Sequence, residues 1–133
     1  PNKQVVLVIG GSGEIGSAIC KDLAAKGYQL VINYRSNQKK AHKLVDTIKS
    51  DGGNAIAVKA AVENIEDMSS LFDVMCSHFG SGPTGIVHCA SSASVFRLIH
   101  ELEWNDFSKL LDVQLRGAYN CMKLGLPEMS VRI

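Results

Sequence analysis

The apolar and polar positions of this chain follow two alternating periods. Short, mostly apolar runs occupy positions 4–9, 29–33, 55–59 and 84–89, as expected of strands that are buried on both faces. The stretches between them repeat apolar residues every three or four positions, as amphipathic helices do. Strand and helix therefore alternate along the chain, which predicts a parallel sheet with helices on both faces.

The predicted helices have recognisable start and stop signals. The first covers 15–26 and ends at Gly27, and the second ends at Asp51-Gly52-Gly53. Asn64 is expected to cap the third helix. A loop is predicted at 90–94, and after it a long helix, straight or kinked, that runs to Pro127. The apolar stripe of this helix consists of Trp104, Phe107, Leu111, Leu115, Ala118 and Met122.

The connections restrict how the four strands can be ordered. Crossovers between parallel strands are right-handed, which favours the spatial order 3-2-1-4. The predicted fold class is therefore α/β, a three-layer αβα, doubly wound, Rossmann-like sheet. Ligands of such sheets bind where the strand order reverses, beyond the carboxyl ends of strands 1 and 4.

A glycine-rich turn stands at that point of the sequence. Strand 1 runs directly into Gly10-Gly11-Ser12-Gly13-Glu14-Ile15-Gly16, and a helix follows. Glycines allow a sharp turn and a close approach to a ligand, while the N–H groups at the helix start favour negative charge. The spacing matches a dinucleotide-binding turn and leaves open another use, such as a methyl-donor site. A P-loop is disfavoured because Ser17 and Ala18, rather than Lys and Ser or Thr, follow Gly16.

Composition excludes several functional classes. The 133 residues are enough for one domain. The net charge is +1 and acidic and basic residues are interspersed, so no basic surface that would bind nucleic acid is predicted. The apolar runs are shorter than a bilayer span of roughly 20 residues. No membrane partner is therefore expected, and a cytoplasmic location is predicted because no signal peptide precedes the first strand.

Cysteine and histidine spacing argues against a metal site. The four cysteines form no C-x-x-C pair and have apolar neighbours, which predicts reduced, mostly buried thiols. The four histidines are scattered without ligand spacing, so no metal ligand is predicted.

Six motifs along the chain resemble those of the short-chain dehydrogenase/reductase family, most closely its 3-oxoacyl-acyl-carrier-protein reductase branch. They are Gly10–Gly16, Val31–Arg35, Ala55–Ala60, His78–Gly80, Ile86–Ala90 and Asp112–Gly117. The resemblance implies a nicotinamide cofactor and hydride transfer to or from a small-molecule carbonyl substrate or an acyl thioester. It also implies that residues 1–133 form the NAD(P)-binding domain, the N-terminal half of such a reductase.

The same resemblance implies a set of site residues. The residues expected to bind the cofactor are Gly10, Ser12, Gly13, Glu14, Ile15, Gly16, Tyr34, Arg35, Ser36, Ala61, Val62, Cys89, Ala90 and Ser91. Gln114 stands at the position of the family's Asn, which supports the catalytic lysine through a water.

The end of strand 2 bears on the choice between NAD and NADP. NAD sites usually place Asp or Glu about 20 residues after the glycines to hold the ribose hydroxyls. This chain has Asn33-Tyr34-Arg35-Ser36 there, with no acid. Arg35 can pair with a 2′-phosphate, with Ser12 or Ser36 adding hydroxyl donors. NADP is therefore favoured over NAD, and the alternative is that Arg35 is an ordinary solvated arginine.

The chain also departs from the family pattern. It has Ile9 for Thr, Glu14 for Gly, Ala61 for Asp, His88-Cys89-Ala90-Ser91 for Asn-Asn-Ala-Gly, and Gln114 for Asn. A carboxylate at position 14 would repel a pyrophosphate unless it points away. These departures keep open a second interpretation, a catalytically silent nucleotide-binding or scaffold domain.

The family's catalytic Ser and Tyr-x-x-x-Lys lie on a fifth strand and the helix after it. The sequence stops at Ser130-Val131-Arg132-Ile133, where that strand is expected to begin, so this stretch alone is expected to be inactive. Tyr119 and Lys123 spell Y-x-x-x-K but are interpreted as a packing feature, since they follow Gln114 too closely. Cys89 is interpreted as an inert thiol and not as a nucleophile.

The predicted half-sheet leaves surfaces without neighbours. Strand 4 would be a bare edge, and the apolar stripe that starts at Trp104 exceeds what one side of the sheet can cover. We therefore expect a homo-oligomer, or a second chain that completes the sheet.

Overall fold

The four strands form one parallel sheet in the order that the sequence predicts. The structure, a computed structural model, describes residues 4–92 and 96–130. The sheet has the order β3-β2-β1-β4. Its strands are β1 (Val5–Ile9), β2 (Gln29–Tyr34), β3 (Asn54–Lys59) and β4 (Gly85–His88). Within the described residues, the outer edge of β4 pairs with no further strand.

Helices cover both faces of the sheet and complete the three layers. The helices are α1 (Glu14–Ala25), α2 (Gln38–Ser50), α3 (Ile65–Phe79), α4 (Trp104–Leu111) and α5 (Gly117–Ser130). A π-helical segment, Asp112–Arg116, joins α4 to α5, and a 3-10 turn at Ile99–Glu101 precedes α4. Of the helices in the described ranges, none is long and apolar enough to span a bilayer.

The two faces of the sheet bury separate apolar cores. Alternate residues of the central strands point to opposite sides, so Val8 and Ile32 pack with Leu44 of α2, whereas Leu7 and Ile9 pack with α3 and α5. Val31 pairs with Leu7 on one side and with Ile56 on the other. The buried face of every predicted strand–helix unit is thus in contact with the sheet.

The predicted helix signals are confirmed. Gly27 and Gly52, which follow α1 and α2, have φ of +90° and +87°, a conformation that glycine adopts without strain. The Asn64 side chain accepts a hydrogen bond from the backbone N–H of Asp67 at 2.9 Å and caps α3. Helices α1 and α2 therefore end, and α3 begins, where the sequence signals stand.

Several details differ from the sequence prediction. Pro127 lies inside α5, which continues to Ser130. β4 is shorter than 84–89, although Thr84 and Cys89 still donate backbone hydrogen bonds to β1. The predicted long helix is interrupted by the π-helical segment, although the sequence pattern indicates no position for a kink. Part of the predicted loop 90–94 lies outside the described residues, as does the chain beyond Ser130.

Helix α5 packs closely on the sheet through small residues. A Cβ on Gly125 would lie 2.4 Å from Ile86 Cδ1, and one on Gly117 would lie 2.9 Å from Val62 Cγ1. The large apolar residues therefore point outward. The residues more than half exposed on α4, α5 and the segment between them are Trp104, Leu115, Tyr119, Met122 and Leu126. The expected exposed apolar stripe is confirmed, with Leu111 and Ala118 half-buried.

One buried polar side chain connects the carboxyl ends of three strands. Asn33 is 3% exposed, and its Oδ1 accepts a hydrogen bond from the N–H of Gly10 at 3.2 Å. Its Nδ2 donates to the carbonyl oxygens of Ala60 at 3.0 Å and Val58 at 3.5 Å. The turn after β1 and the loop after β3 are thus held at a fixed distance from β2.

We predict that Asn33→Ala destabilises the fold by about 2–3 kcal/mol, because it leaves buried backbone groups unpaired. Urea unfolding followed by circular dichroism measures the change. Asn105→Ala, a control at an exposed position of α4, is expected to change the free energy of unfolding by less than about 0.5 kcal/mol. Equal effects of the two substitutions would contradict the role assigned to Asn33.

Candidate functional site

A crevice opens beyond the carboxyl ends of β1 and β4, where the strand order reverses. It holds a cavity of about 310 Å³. The residues that line it are Gly10, Ser12, Gly13, Asn33, Tyr34, Arg35, Ser36, Asn37, Ala60, Val62, Cys89, Ala90, Ser91 and Val113. A cavity at this point of a doubly wound sheet is the expected position for a nucleotide.

The glycine turn forms one wall of the crevice and approaches β4 very closely. Gly10 has φ of +70°, and a Cβ there would lie 2.7 Å from the backbone nitrogen of Ala90. A Cβ on Gly16 would lie 2.3 Å from the carbonyl oxygen of Gly10. Side chains at these two positions would push the turn away from the sheet, so the sequence motif has a direct steric cause here.

The start of α1 faces the crevice with its backbone donors uncapped. Gly13 is the N-cap residue and makes no side-chain capping hydrogen bond, whereas Asn37 and Asn64 cap α2 and α3. The unpaired N–H groups and the helix dipole at this end favour an anionic ligand. The turn therefore has the chemistry that a pyrophosphate requires.

Ten of the fourteen cofactor residues expected from the sequence line this cavity. Glu14, Ile15, Gly16 and Ala61 do not. Glu14 is exposed and does not line the cavity. The N–H of Ala61 donates to Asp67 Oδ2 at 2.9 Å. The role of each of the fourteen residues in cofactor binding stays a prediction.

Sequence reasoning missed four residues that line the cavity: Asn33, Asn37, Ala60 and Val113. Asn33 could have been identified from the sequence, because a polar residue in an apolar strand needs buried hydrogen-bond partners. Val113 had none, since it reaches the crevice only through the packing of the π-helical segment on the sheet.

Arg35 lies at the end of β2, where the sequence places it, but its guanidinium has a partner. Arg35 Nη1 is 2.5 Å from Glu63 Oε1, on the loop that follows β3. The Arg35 side chain is 62% exposed and that of Glu63 only 21%. The cation expected for a phosphate is therefore already paired with a carboxylate.

Gln114 lines a second cavity of about 330 Å³, together with His88, Cys89, Ala90 and Ser91. His88 Nε2 lies 3.1 Å from the carbonyl oxygen of Val113, to which it donates a hydrogen bond. The ring thereby fixes the π-helical segment beside the end of β4. π-helical turns often occur at functional sites, because they reorient the residues that they carry.

The cysteine thiols are poor nucleophiles. Burial raises the pKa of Cys121 to about 11. The pKa of Cys20 is raised to about 12, mainly by burial and to a smaller extent by the nearby Cys89. Burial also raises the pKa of Cys89, which lines both cavities. A thiolate is the reactive form, so the interpretation of Cys89 as an inert thiol is supported.

Tyr119 and Lys123 lie on the outer face of α5. The Lys123 ammonium sits 5.8 Å from the centre of the Tyr119 ring, and both side chains are exposed. Neither contributes to the two cavities. The pair makes a cation–π contact on the surface and is not placed to act on a ligand in the crevice.

Across residues 4–92 and 96–130, no three His, Cys, Asp or Glu side chains gather closely enough to hold a metal ion. The groups that face the crevice are instead backbone N–H, hydroxyl, amide and guanidinium donors. These are donors suited to phosphate and ribose oxygens.

Comparison with known proteins gives relatives among reductases. The chain is 34% identical to hydroxynaphthalene reductase-like protein Arp2 of Metarhizium anisopliae over 116 residues, 87% of this chain and 43% of that protein. It is 30% identical to the 3-oxoacyl-acyl-carrier-protein reductase FabG of Staphylococcus aureus over 124 residues, 92% of this chain and 49% of that protein. The chain thus spans less than half the length of these relatives.

A solved structure shows the same arrangement. The 3-ketoacyl-ACP reductase of Sinorhizobium meliloti superposes with a TM-score of 0.87 at 27% identity, covering 96% of this chain and 49% of that one. The profile of the family described as short chain dehydrogenase matches residues 4–132. Together with the strand order and the glycine cradle, this match shows that the chain belongs to the short-chain dehydrogenase family.

Proposed function

We propose that this chain is the cofactor-binding portion of an NADP-dependent reductase that reduces a 3-oxoacyl or similar small carbonyl compound. The observation that carries the proposal is the glycine turn, held so close to Ala90 that only glycine fits at position 10. Such a turn, with an uncapped helix behind it, is suited to a dinucleotide pyrophosphate.

Each part of the crevice has a role in this proposal. The start of α1 binds the pyrophosphate, and Tyr34, Arg35 and Ser36 receive the adenosine end. Ala90, Ser91 and Gln114 line the neighbouring cavity, where the nicotinamide end and the carbonyl would meet. The bound cofactor supplies the hydride, and the chain's own residues hold and orient it.

NADP is proposed over NAD because β2 ends without an acid. Arg35 and two hydroxyls, those of Ser12 and Ser36, line the cavity around that strand end. A guanidinium with hydroxyl donors beside it suits a phosphate better than a neutral ribose.

The relatives support the substrate class. The Staphylococcus aureus relative is named for a 3-oxoacyl thioester and the Metarhizium relative for a hydroxynaphthalene. A ketone or its enol is common to both, so we propose a carbonyl compound or acyl thioester as the substrate. A cytoplasmic location belongs to the same proposal.

A catalytically silent nucleotide-binding or scaffold domain is the second candidate. The pairing of Arg35 with Glu63, and the Ala at position 61 where the family has Asp, favour it. The first feature alters the adenosine end of the crevice, the second lies next to Val62 in its wall, and the glycine cradle is left intact. A measurement of nucleotide binding alone therefore does not separate the two candidate functions. An assay of turnover is needed as well.

The first prediction concerns the 2′-phosphate. Arg35→Ala is expected to weaken NADPH binding more than NADH binding, because it removes a charge-assisted contact worth about 1.5–3 kcal/mol. Calorimetric titration with both nucleotides measures the difference, and Lys43→Ala on the exposed face of α2 is the charge-matched control. Equal losses for the two nucleotides in Arg35→Ala would overturn the assignment.

The second prediction concerns turnover. Residues 1–133 by themselves are expected to bind NADPH without reducing an acetoacetyl thioester, because Tyr119 and Lys123, the Y-x-x-x-K pair in the described part of the chain, lie outside both cavities. General acid–base catalysis is typically worth about 10²–10⁴-fold. An ordinary enzymatic rate that Tyr119→Phe abolishes would show that the surface pair is catalytic after all.

We also propose that the exposed apolar stripe on α4 and α5 is covered by a second copy of this chain. Trp104 and Leu115 are 69% and 66% exposed, and the Trp104 ring packs 5.7 Å from that of Phe107, which is itself 37% exposed. Contiguous apolar surface of this kind usually marks an interface. A different chain that completes the sheet beyond β4 is the alternative partner.

The third prediction tests this surface. Light scattering at several concentrations is expected to show a concentration-dependent mass, and Leu115→Lys is expected to shift it toward the monomer because it places a charge in the interface. Val74→Lys, at an exposed apolar position on α3, is the control. A monomer at every concentration, with a sharp cooperative melt, would contradict self-association.

A further inference from the structure

We propose that Glu63 is a second determinant of cofactor choice, acting against the 2′-phosphate that Arg35 would bind. The inference rests on the proposed function, namely that the crevice receives a nicotinamide dinucleotide. In this proposal Glu63 reduces the preference for NADP and gives a hydroxyl of the adenosine ribose a hydrogen-bond acceptor.

The fold supplies the acid that the end of β2 lacks. Glu63 directly follows Val62, which lines the main cavity, and the loop after β3 brings its carboxylate to Arg35. The pair lines a further cavity of about 300 Å³. That cavity shares Arg35, Ser91 and Val113 with the main one. A carboxylate therefore stands beside the adenosine end of the crevice, although it comes from the loop after β3 and not from the end of β2.

One oxygen of this carboxylate is left without a donor. Oε1 contacts Arg35, while Oε2 is buried and has no hydrogen-bond partner in the described part of the chain. An ionised carboxylate only accepts hydrogen bonds. A ribose hydroxyl can donate to it, whereas a phosphate that is largely a dianion at neutral pH cannot. Because Oε2 is buried, a ligand hydroxyl reaches it only after the carboxylate turns toward the cavity, and a hydroxyl then suits this acceptor better than a phosphate.

The ion pair also reduces the attraction of Arg35 for phosphate. A 2′-phosphate has to share the guanidinium with Glu63 or displace it, and in both cases two negative groups come close together. Lys109 and Asp112 also line this cavity, so its charged side chains are two cations and two anions. Removal of the Glu63 charge leaves an excess of positive charge near the phosphate position.

Glu63→Gln tests the proposal, because it removes the charge and keeps the size of the side chain. The probes are 2′,5′-ADP, which carries the 2′-phosphate, and 5′-AMP, which carries a hydroxyl there. Calorimetry is expected to show the affinity ratio shifting about fivefold toward 2′,5′-ADP, a modest change because the pair is partly exposed to solvent. Glu66→Gln, which removes a charge from the exposed first turn of α3, is expected to leave the ratio unchanged.

The outcomes separate this inference from the proposed function. If both probes bind and the ratio in Glu63→Gln equals that in Glu66→Gln, the role of Glu63 is wrong while the nucleotide site stands. If neither probe binds the parent protein or the variants, the nucleotide site itself is wrong, and the inference falls with it. Glu63→Ala is expected to shift the ratio in the same direction, and a shift toward 5′-AMP in both Glu63 variants would overturn the proposal.

Discussion

The crevice depends on the buried Asn33 amide, which fixes the carboxyl ends of three strands relative to one another. Its oxygen holds the N–H of Gly10 and its nitrogen holds the carbonyl of Ala60. The backbone of the same residue accepts from Gly11. Because these groups are shielded from water, each lost hydrogen bond would leave an unpaired polar atom. The glycine turn can therefore keep its close approach to β4.

The other wall of the crevice is positioned by a second set of polar contacts. Asn120 of α5 is 2% exposed and donates to the carbonyl oxygen of Val62 at 2.9 Å, and His88 donates to that of Val113. These contacts join α5 to the loop after β3 and the π-helical segment to β4, while Gly117 and Gly125 allow a close approach. The same packing turns the large apolar residues of α4 and α5 outward, so the shape of the crevice and the exposed stripe have one cause.

Long-range pairing then changes the chemistry that the local motif suggests. Arg35 by itself indicates a phosphate site, but the fold places Glu63 against it. Glu14 by itself indicates repulsion of a pyrophosphate, but its side chain lies in solvent outside the cavity. In both cases the relevant quantity is the distance between charges, and this distance follows from the packing of loops on the sheet.

The sequence alone determined the strand and helix order, the sheet order 3-2-1-4 and the glycine turn at the switch point, because periodicity, caps and glycine spacing are visible along the chain and right-handed crossovers restrict the strand order. Most residues of the crevice were placed by the resemblance of six sequence motifs to the short-chain dehydrogenase/reductase family, and ten of the fourteen line the cavity. Only the tertiary structure decided the partner of Arg35, the π-helical segment at 112–116 and the passage of α5 through Pro127. These depend on contacts between residues far apart in the chain, and their strength is set by burial and distance that no local pattern contains.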